Sequence, residues 1–176
     1  MAAPVAAVLN ISRKALPPEY ADLAAWCSHP EHVYIGRGLS AYLADGTKYP
    51  PEDSPFCNPF KVSGKLHVAN LTDRQQAIVR RIVARRPEEG RDCAVTRYEE
   101  YIRARLREEP ELVVQLRALQ GKRLGCWCKP KACHGDVLVK LLHEELGVPA
   151  AEAPEGPEGG ETGGAPPKRA RRWKQR

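Results

Sequence analysis

The chain has 176 residues, 42% hydrophobic and 28% charged, with a formal net charge of +6. That composition suits one globular domain with chain to spare. No apolar run approaches the roughly 20 residues of a membrane span, which argues against an integral membrane protein.

The N-terminus, Met1-Ala2-Ala3-Pro4-Val5, is apolar to Leu9 but has no leading basic region. Asn10, Ser12 and Arg13 follow at once, so no signal peptide is expected and the protein is placed in the nucleus or cytoplasm. Six cysteines are then expected as reduced thiols, metal ligands or catalytic groups. Residues 8–11 read as a first strand. Residues 20–27 read as a brief helix with Tyr20, Leu23, Ala24 and Cys27 on one face. His32-Val33-Tyr34-Ile35 is a second strand that stops at Gly36-Arg37-Gly38. The proline-rich stretch 39–65 reads as a long ordered loop, a kind of segment that often carries function.

Helical periodicity then takes over. Ala77, Ile78, Ile82 and Val83 mark a helix over 73–86, with Arg80, Arg81, Arg85 and Arg86 on its other side. A helix over 93–108 follows, capped by Asp92, and then one over 111–119 opened by Pro110. Arg123-Leu124-Gly125-Cys126-Trp127-Cys128 is a strand. The last helix runs over 134–146 and ends at Gly147. Strands separated by helices predict a compact α/β sheet of Rossmann-like character with flanking helices, over 1–147.

Residues 148–176 are different. They hold one aromatic residue and no leucine or isoleucine, too little apolar surface to offset chain entropy. They are expected to be a disordered tail, acidic and then basic. Lys168, Arg169, Arg171, Arg172 and Lys174 fit an address for a nuclear-import receptor or a nucleic-acid tether.

The densest chemistry lies in Cys126-Trp127-Cys128-Lys129-Pro130-Lys131-Ala132-Cys133-His134-Gly135-Asp136. A strand runs through a turn into a helix whose first backbone N–H groups have no intrahelical partner and suit an anion. Three readings stand side by side. In the first, the residues are structural: Cys126 fills core, Trp127 packs and Asp136 caps. In the second, the turn is a ligand-binding or catalytic pocket. His134 is the acid/base, Asp136 its orienter or a cap, and Cys133 a thiol activated at the helix start. Gly135 lies beside the ligand in this reading. In the third, Cys126, Cys128, Cys133 and His134 hold zinc. The spacing C-x-C-x4-C-H is not a standard structural set, and adjacent side chains at a helix start are expected to diverge, so no cofactor is predicted. Two further segments join this one. Gly36 permits close backbone approach and Arg37 can hold a phosphate bidentately. Asn58, held extended before Pro59, can position a ligand.

The order V-Y-I-G-R, S-P-F-C-N-P-F, R-Y-x-x-Y and Q-G-K-R-L-G-C-W-C-K-P-K-A-C-H-G-D-V-L resembles a small phage and bacterial family, domain of unknown function 4326. The resemblance covers about residues 8–146, and C-H-G-D-V-L is its most specific part. The C-H-G-D segment is also similar to the C-H-R segment of another uncharacterised α/β family. The chain departs from the pattern at Cys57, where the family usually has glycine, and at about 63–90, which reads as an insertion with a basic helix. The resemblance implies a compact α/β domain and supplies no reaction. Two functions are therefore carried forward. One is binding or processing of a nucleotide or other phosphate-bearing ligand. The other is a non-enzymatic, nucleic-acid-associated module, with or without zinc.

Overall fold

Strand-forming runs at three distant places in the chain pair as one parallel sheet, as seen in a computed structural model that describes residues 6–147. The expected tail at 148–176, with Lys168, Arg169, Arg171, Arg172 and Lys174, lies outside the described residues. In chain order the elements are β1 (Ala7–Asn10), α1 (Leu23–Cys27), β2 (His32–Tyr34), β3 (Ala41–Tyr42), β4 (Lys48–Tyr49), α2 (Asp73–Arg85), α3 (Arg91–Glu108), α4 (Pro110–Arg117), β5 (Arg123–Cys126) and α5 (His134–Leu146). The main sheet has the order β1-β5-β2, so the last strand lies between the first two. Asn10 pairs with Cys126, and Tyr34 with Gly125. All three carboxyl ends therefore emerge at the same edge.

The alternation of side chains along each strand divides the core in two. Val8, Val33 and Leu124 join the larger cluster, built on Tyr98, Tyr101, Ile102, Leu138 and Leu142. Leu9, Ile11 and Tyr34 join a smaller cluster with Leu23 and Trp26. The helical face expected at Tyr20, Leu23, Ala24 and Cys27 is thus rotated, and Leu23 and Trp26 are the residues it buries. Gly125 is demanded by this packing, because a Cβ there would stand 2.7 Å from two carbons of the Trp26 ring.

Helix ends follow local chemistry. Thr72 caps α2 in a capping box with Gln75. Pro110 opens α4, and Gly147 ends α5 in the left-handed conformation. Asp92 does not cap α3. It lies in the first turn, and Gly90 is the cap residue. The stretch 39–65 is also more regular than a loop, since β3 and β4 form a hairpin within it and Phe60 bridges Leu66.

Residues 54–60 are stapled to α3 by three hydrogen bonds. Arg105 Nη1 donates to the Pro55 carbonyl at 2.7 Å and Tyr98 Oη to the Phe56 carbonyl at 2.8 Å. Asn58 Nδ2 donates to the Ala94 carbonyl at 3.2 Å. Arg105 is itself held by Glu109, at 2.8 and 2.6 Å. A proline-rich segment is thereby fixed in place with only the Phe60–Leu66 bridge as its ladder pairing.

Gly125→Ala is expected to cost about 1–3 kcal/mol, the usual range for overpacking a filled core. Denaturant unfolding should show a lower midpoint at unchanged slope. An unchanged midpoint would mean that the Trp26 ring yields without cost.

Candidate metal centre

β5 delivers Cys126 to the carboxyl edge of the sheet, and the chain then turns through 127–132 into α5. Two polar contacts fix that turn. Asn10 Nδ2, at the end of β1, donates to the Lys129 carbonyl at 2.7 Å. Lys129 Nζ pairs with Asp136 at 2.6 Å. Cys133 is the cap residue of α5 and has extended backbone, at φ −132° and ψ 141°, while His134 is already helical. This change of backbone direction decides the site. Two neighbouring side chains that diverge in a uniform segment converge when the peptide between them joins an extended residue to a helical one.

The result is a cluster. One ligand atom from each of Cys126, Cys128, Cys133 and His134 lies within 4.8 Å of all the others, and three of the four residues are buried. A tetrahedral ion with Zn–S bonds of about 2.3 Å needs sulfurs roughly 3.7 Å apart, which requires only a small contraction. His134 Nδ1 lies 3.7 Å from Cys126 Sγ and 3.9 Å from Cys133 Sγ. Its Nε2 is 2.9 Å from the Ile35 carbonyl oxygen. A carbonyl can only accept, so Nε2 carries hydrogen and Nδ1 faces the sulfurs. Metal-bound histidines are commonly oriented in this way, by a hydrogen bond from the other ring nitrogen. The expectation that the Cys133 and His134 side chains diverge is therefore corrected, and the four residues named in the zinc reading form a cluster that could hold a metal ion.

Hydrogen bonding and burial act differently on Cys128, Cys133 and His134. Hydrogen bonds from Cys126, and then from Cys133 and His134, hold the Cys128 thiol far below its usual range. Hydrogen bonds with Cys126 and Cys128, reinforced by burial, push Cys133 well above it. Burial opposes a charge on His134, yet hydrogen bonds with Cys126 and Cys128 and the Ile35 carbonyl carry it up to about 9.

The other expected roles are redistributed. Asp136 does not orient His134. It is exposed, accepts from the Cys133 backbone N–H at 3.3 Å and pairs with Lys129. Cys133 Sγ accepts from the Gly135 N–H at 3.3 Å. The start of α5 thus engages its own capping groups, with the Cys133 and Gly135 N–H groups taken up by Asp136 and Cys133. Gly135 packs against the sheet, where a Cβ would meet Val8 at 2.8 Å and Ile35 at 2.9 Å. Asn58 is buried, and its Oδ1 accepts from the Phe60 N–H at 2.8 Å. Arg37 donates from Nε to the Asn58 carbonyl at 2.9 Å and from Nη2 to the Phe60 carbonyl at 3.2 Å. Gly36, Arg37, Asn58 and His134 nevertheless line one cavity of about 530 Å³, together with Cys126 and Cys128. Cys133, Gly135 and Asp136 are not on its wall. Lys61, His67, Arg91 and Trp127 are. No local motif marks these four, although Trp127 sits within the Cys-rich segment.

Asp53 braces the rim of this cavity. Its carboxylate accepts from the Gly38 N–H at 2.6 Å, from His67 Nε2 at 2.8 Å and from Asn70 Nδ2 at 2.9 Å.

The chain belongs to the family described as a domain of unknown function (DUF4326), whose profile matches residues 20–144. It is similar to an uncharacterized 12.4 kDa protein of the nrdA-td intergenic region of Enterobacteria phage T4. The two are 34% identical over 54 residues, which is 31% of this chain and 50% of the phage protein. The chain thus spans about half the length of that curated relative. No solved structure matches it. Among the described residues no helix is long and apolar enough to cross a membrane.

The Asp53 network yields a pH prediction. Burial alone would raise this carboxyl, but its hydrogen bonds hold it below the usual carboxylate range. A depressed folded-state pKa stabilises the fold above the unfolded value of about 3.9, and that contribution is lost as pH falls through the folded value. Asp53→Asn should therefore be less stable than the parent near neutral pH, and the gap should close under acid. Denaturant titrations across that range check it, and a gap independent of pH would contradict it.

Proposed function

We propose that this chain is a zinc-stabilised α/β binding module, in which Cys126, Cys128, Cys133 and His134 hold one Zn²⁺ at the carboxyl edge of the sheet. The observation that carries this reading is the convergence of three thiols on a His134 ring whose far nitrogen is already engaged by a backbone carbonyl. Four protein ligands leave no open position, which favours a structural ion over a hydrolytic one. Soft sulfur donors favour zinc over magnesium or calcium. Zinc at this place ties the end of β5, the 127–132 turn and the start of α5 together.

The adjoining cavity supports a role in ligand binding. Its volume falls within the usual range for small-molecule sites, and it lies outside the carboxyl ends of parallel strands, where ligands of open α/β sheets commonly bind. That placement is also what supports the Rossmann-like kinship. The nucleic-acid reading rests on Arg80 and Arg81, which are exposed on α2. Their neighbours Arg85 and Arg86 are both engaged by Glu100, which leaves a narrower basic face than the sequence spells out.

Protein purified without added chelator should carry one zinc per chain by elemental analysis, and Cys133→Ser should lose it while Cys93→Ser keeps it. An ion at a thousandfold excess over its Kd contributes about 4 kcal/mol. In a domain of this size that corresponds to a Tm roughly 10 °C higher than after chelation. Metal-free protein with a Tm unmoved by chelator or zinc would contradict the reading.

A further inference from the structure

The cavity beside the Cys/His cluster has a charge pattern that the cluster does not account for. Among its described lining residues there is no aspartate or glutamate, while Arg37, Lys61 and Arg91 supply three permanent cations. A Zn²⁺ with three thiolates carries a net charge of −1, which still leaves the cavity with an excess of about two positive charges. Elsewhere in the chain arginines are neutralised by glutamates, as at Arg103 with Glu99 and Glu144, or Arg117 with Glu145. Around this cavity the one rim carboxylate, Asp53, engages Gly38, His67 and Asn70, and no carboxylate among the described residues pairs with Arg37, Lys61 or Arg91. Among the described residues the Lys61 ammonium has no hydrogen-bond partner. Arg91 reaches only the Ala132 carbonyl, at 3.5 Å. Arg37 is clamped through Nε and Nη2 and makes no hydrogen bond from Nη1 among the described residues. Its guanidinium is thus pre-positioned at little further entropic cost.

The wall also offers apolar surface, from Phe60, Val62, Val95 and Trp127. Trp127 is fixed in orientation. Its Nε1 donates to Tyr34 Oη at 3.2 Å, and Tyr34 Oη donates in turn to the Arg37 carbonyl at 2.6 Å. One hydrogen-bonded chain therefore sets both the indole and the backbone of the cationic residue. A ligand that satisfies both halves of the cavity has a flat apolar ring and a phosphate.

We propose that this cavity binds a nucleoside phosphate, with the base against Trp127 and the valines and the phosphate among Arg37, Lys61 and Arg91. The proposal deepens the binding-module reading and rests on it, since the zinc centre forms part of the wall. It also moves the anion away from the α5 N-terminus, where Cys133 and Asp136 already take up the backbone donors.

The test uses the full chain, zinc-loaded, with calorimetric titration of each of the four common nucleoside monophosphates, their nucleosides, inorganic phosphate and a single-stranded oligonucleotide. At least one monophosphate should bind with a Kd below about 1 mM. Its nucleoside and inorganic phosphate should each bind about tenfold or more weakly. Lys61→Ala and Arg91→Ala should each weaken the monophosphate about tenfold, the usual scale for losing a charge-assisted hydrogen bond. Both variants should retain zinc and the parental Tm, so that loss of metal and loss of nucleotide are read separately on the same samples. The proposal fails if no monophosphate binds, if the two variants bind as the parent does, or if inorganic phosphate binds as tightly as the nucleotide. It fails equally if only the oligonucleotide binds and Arg80→Ala with Arg81→Ala removes that binding.

Discussion

His134 donates from Nε2 to the Ile35 carbonyl oxygen just beyond the end of β2, at 2.9 Å and out of reach of solvent. That bond sets the ring plane and protonates one nitrogen, and so leaves the other to face Cys126 and Cys133. It also joins the first residue of α5 to the edge of the sheet, beside the cavity that His134 helps to line. Without it the imidazole could rotate, the sulfurs would lose their fourth partner, and the cavity would lose the wall that His134 provides. The cluster, the sheet edge and the cavity thus form one mechanical unit.

The surrounding packing serves to keep that bond short. Gly135 lets α5 approach within a methyl's width of Val8 and Ile35. Tyr98 stands edge-on to the His134 ring with centroids 5.0 Å apart, and its hydroxyl holds the Phe56 carbonyl. The ring is therefore supported by the helix that also fixes the 54–60 segment. A metal at this place would add to an existing core, in contrast to a small zinc finger that has little fold without its ion.

Much of the fold was legible in the sequence. The strand reading at 8–11, 33–36 and 123–128 and the helical periodicity at 73–86, 93–108 and 134–146 agree with the observed elements to within one or two residues at most ends. The β3–β4 hairpin was not legible, because two-residue strands among prolines and turn residues carry almost no pattern. The Cys/His segment was visible as a site, but its geometry was not. Spacing alone does not reveal that the backbone switches from extended to helical between Cys133 and His134. Arg37 and Asn58 were visible as polar residues on loops. Their hydrogen bonds to backbone carbonyls depend on partners more than twenty residues away, so the sequence could not show that much of their capacity is spent on structure. Lys61 and Arg91 reach the same cavity from segments with no motif at all, and only the tertiary fold brings them there.

In the proposed centre one ion is held by three cysteines and the Nδ1 of His134. X-ray absorption at the zinc edge of the purified protein tests it most directly. The account predicts three sulfur neighbours at about 2.3 Å and one imidazole nitrogen at about 2.0–2.1 Å, with the nitrogen contribution lost in His134→Ala. A shell of oxygen and nitrogen alone, or a spectrum identical in the parent and His134→Ala, would contradict it.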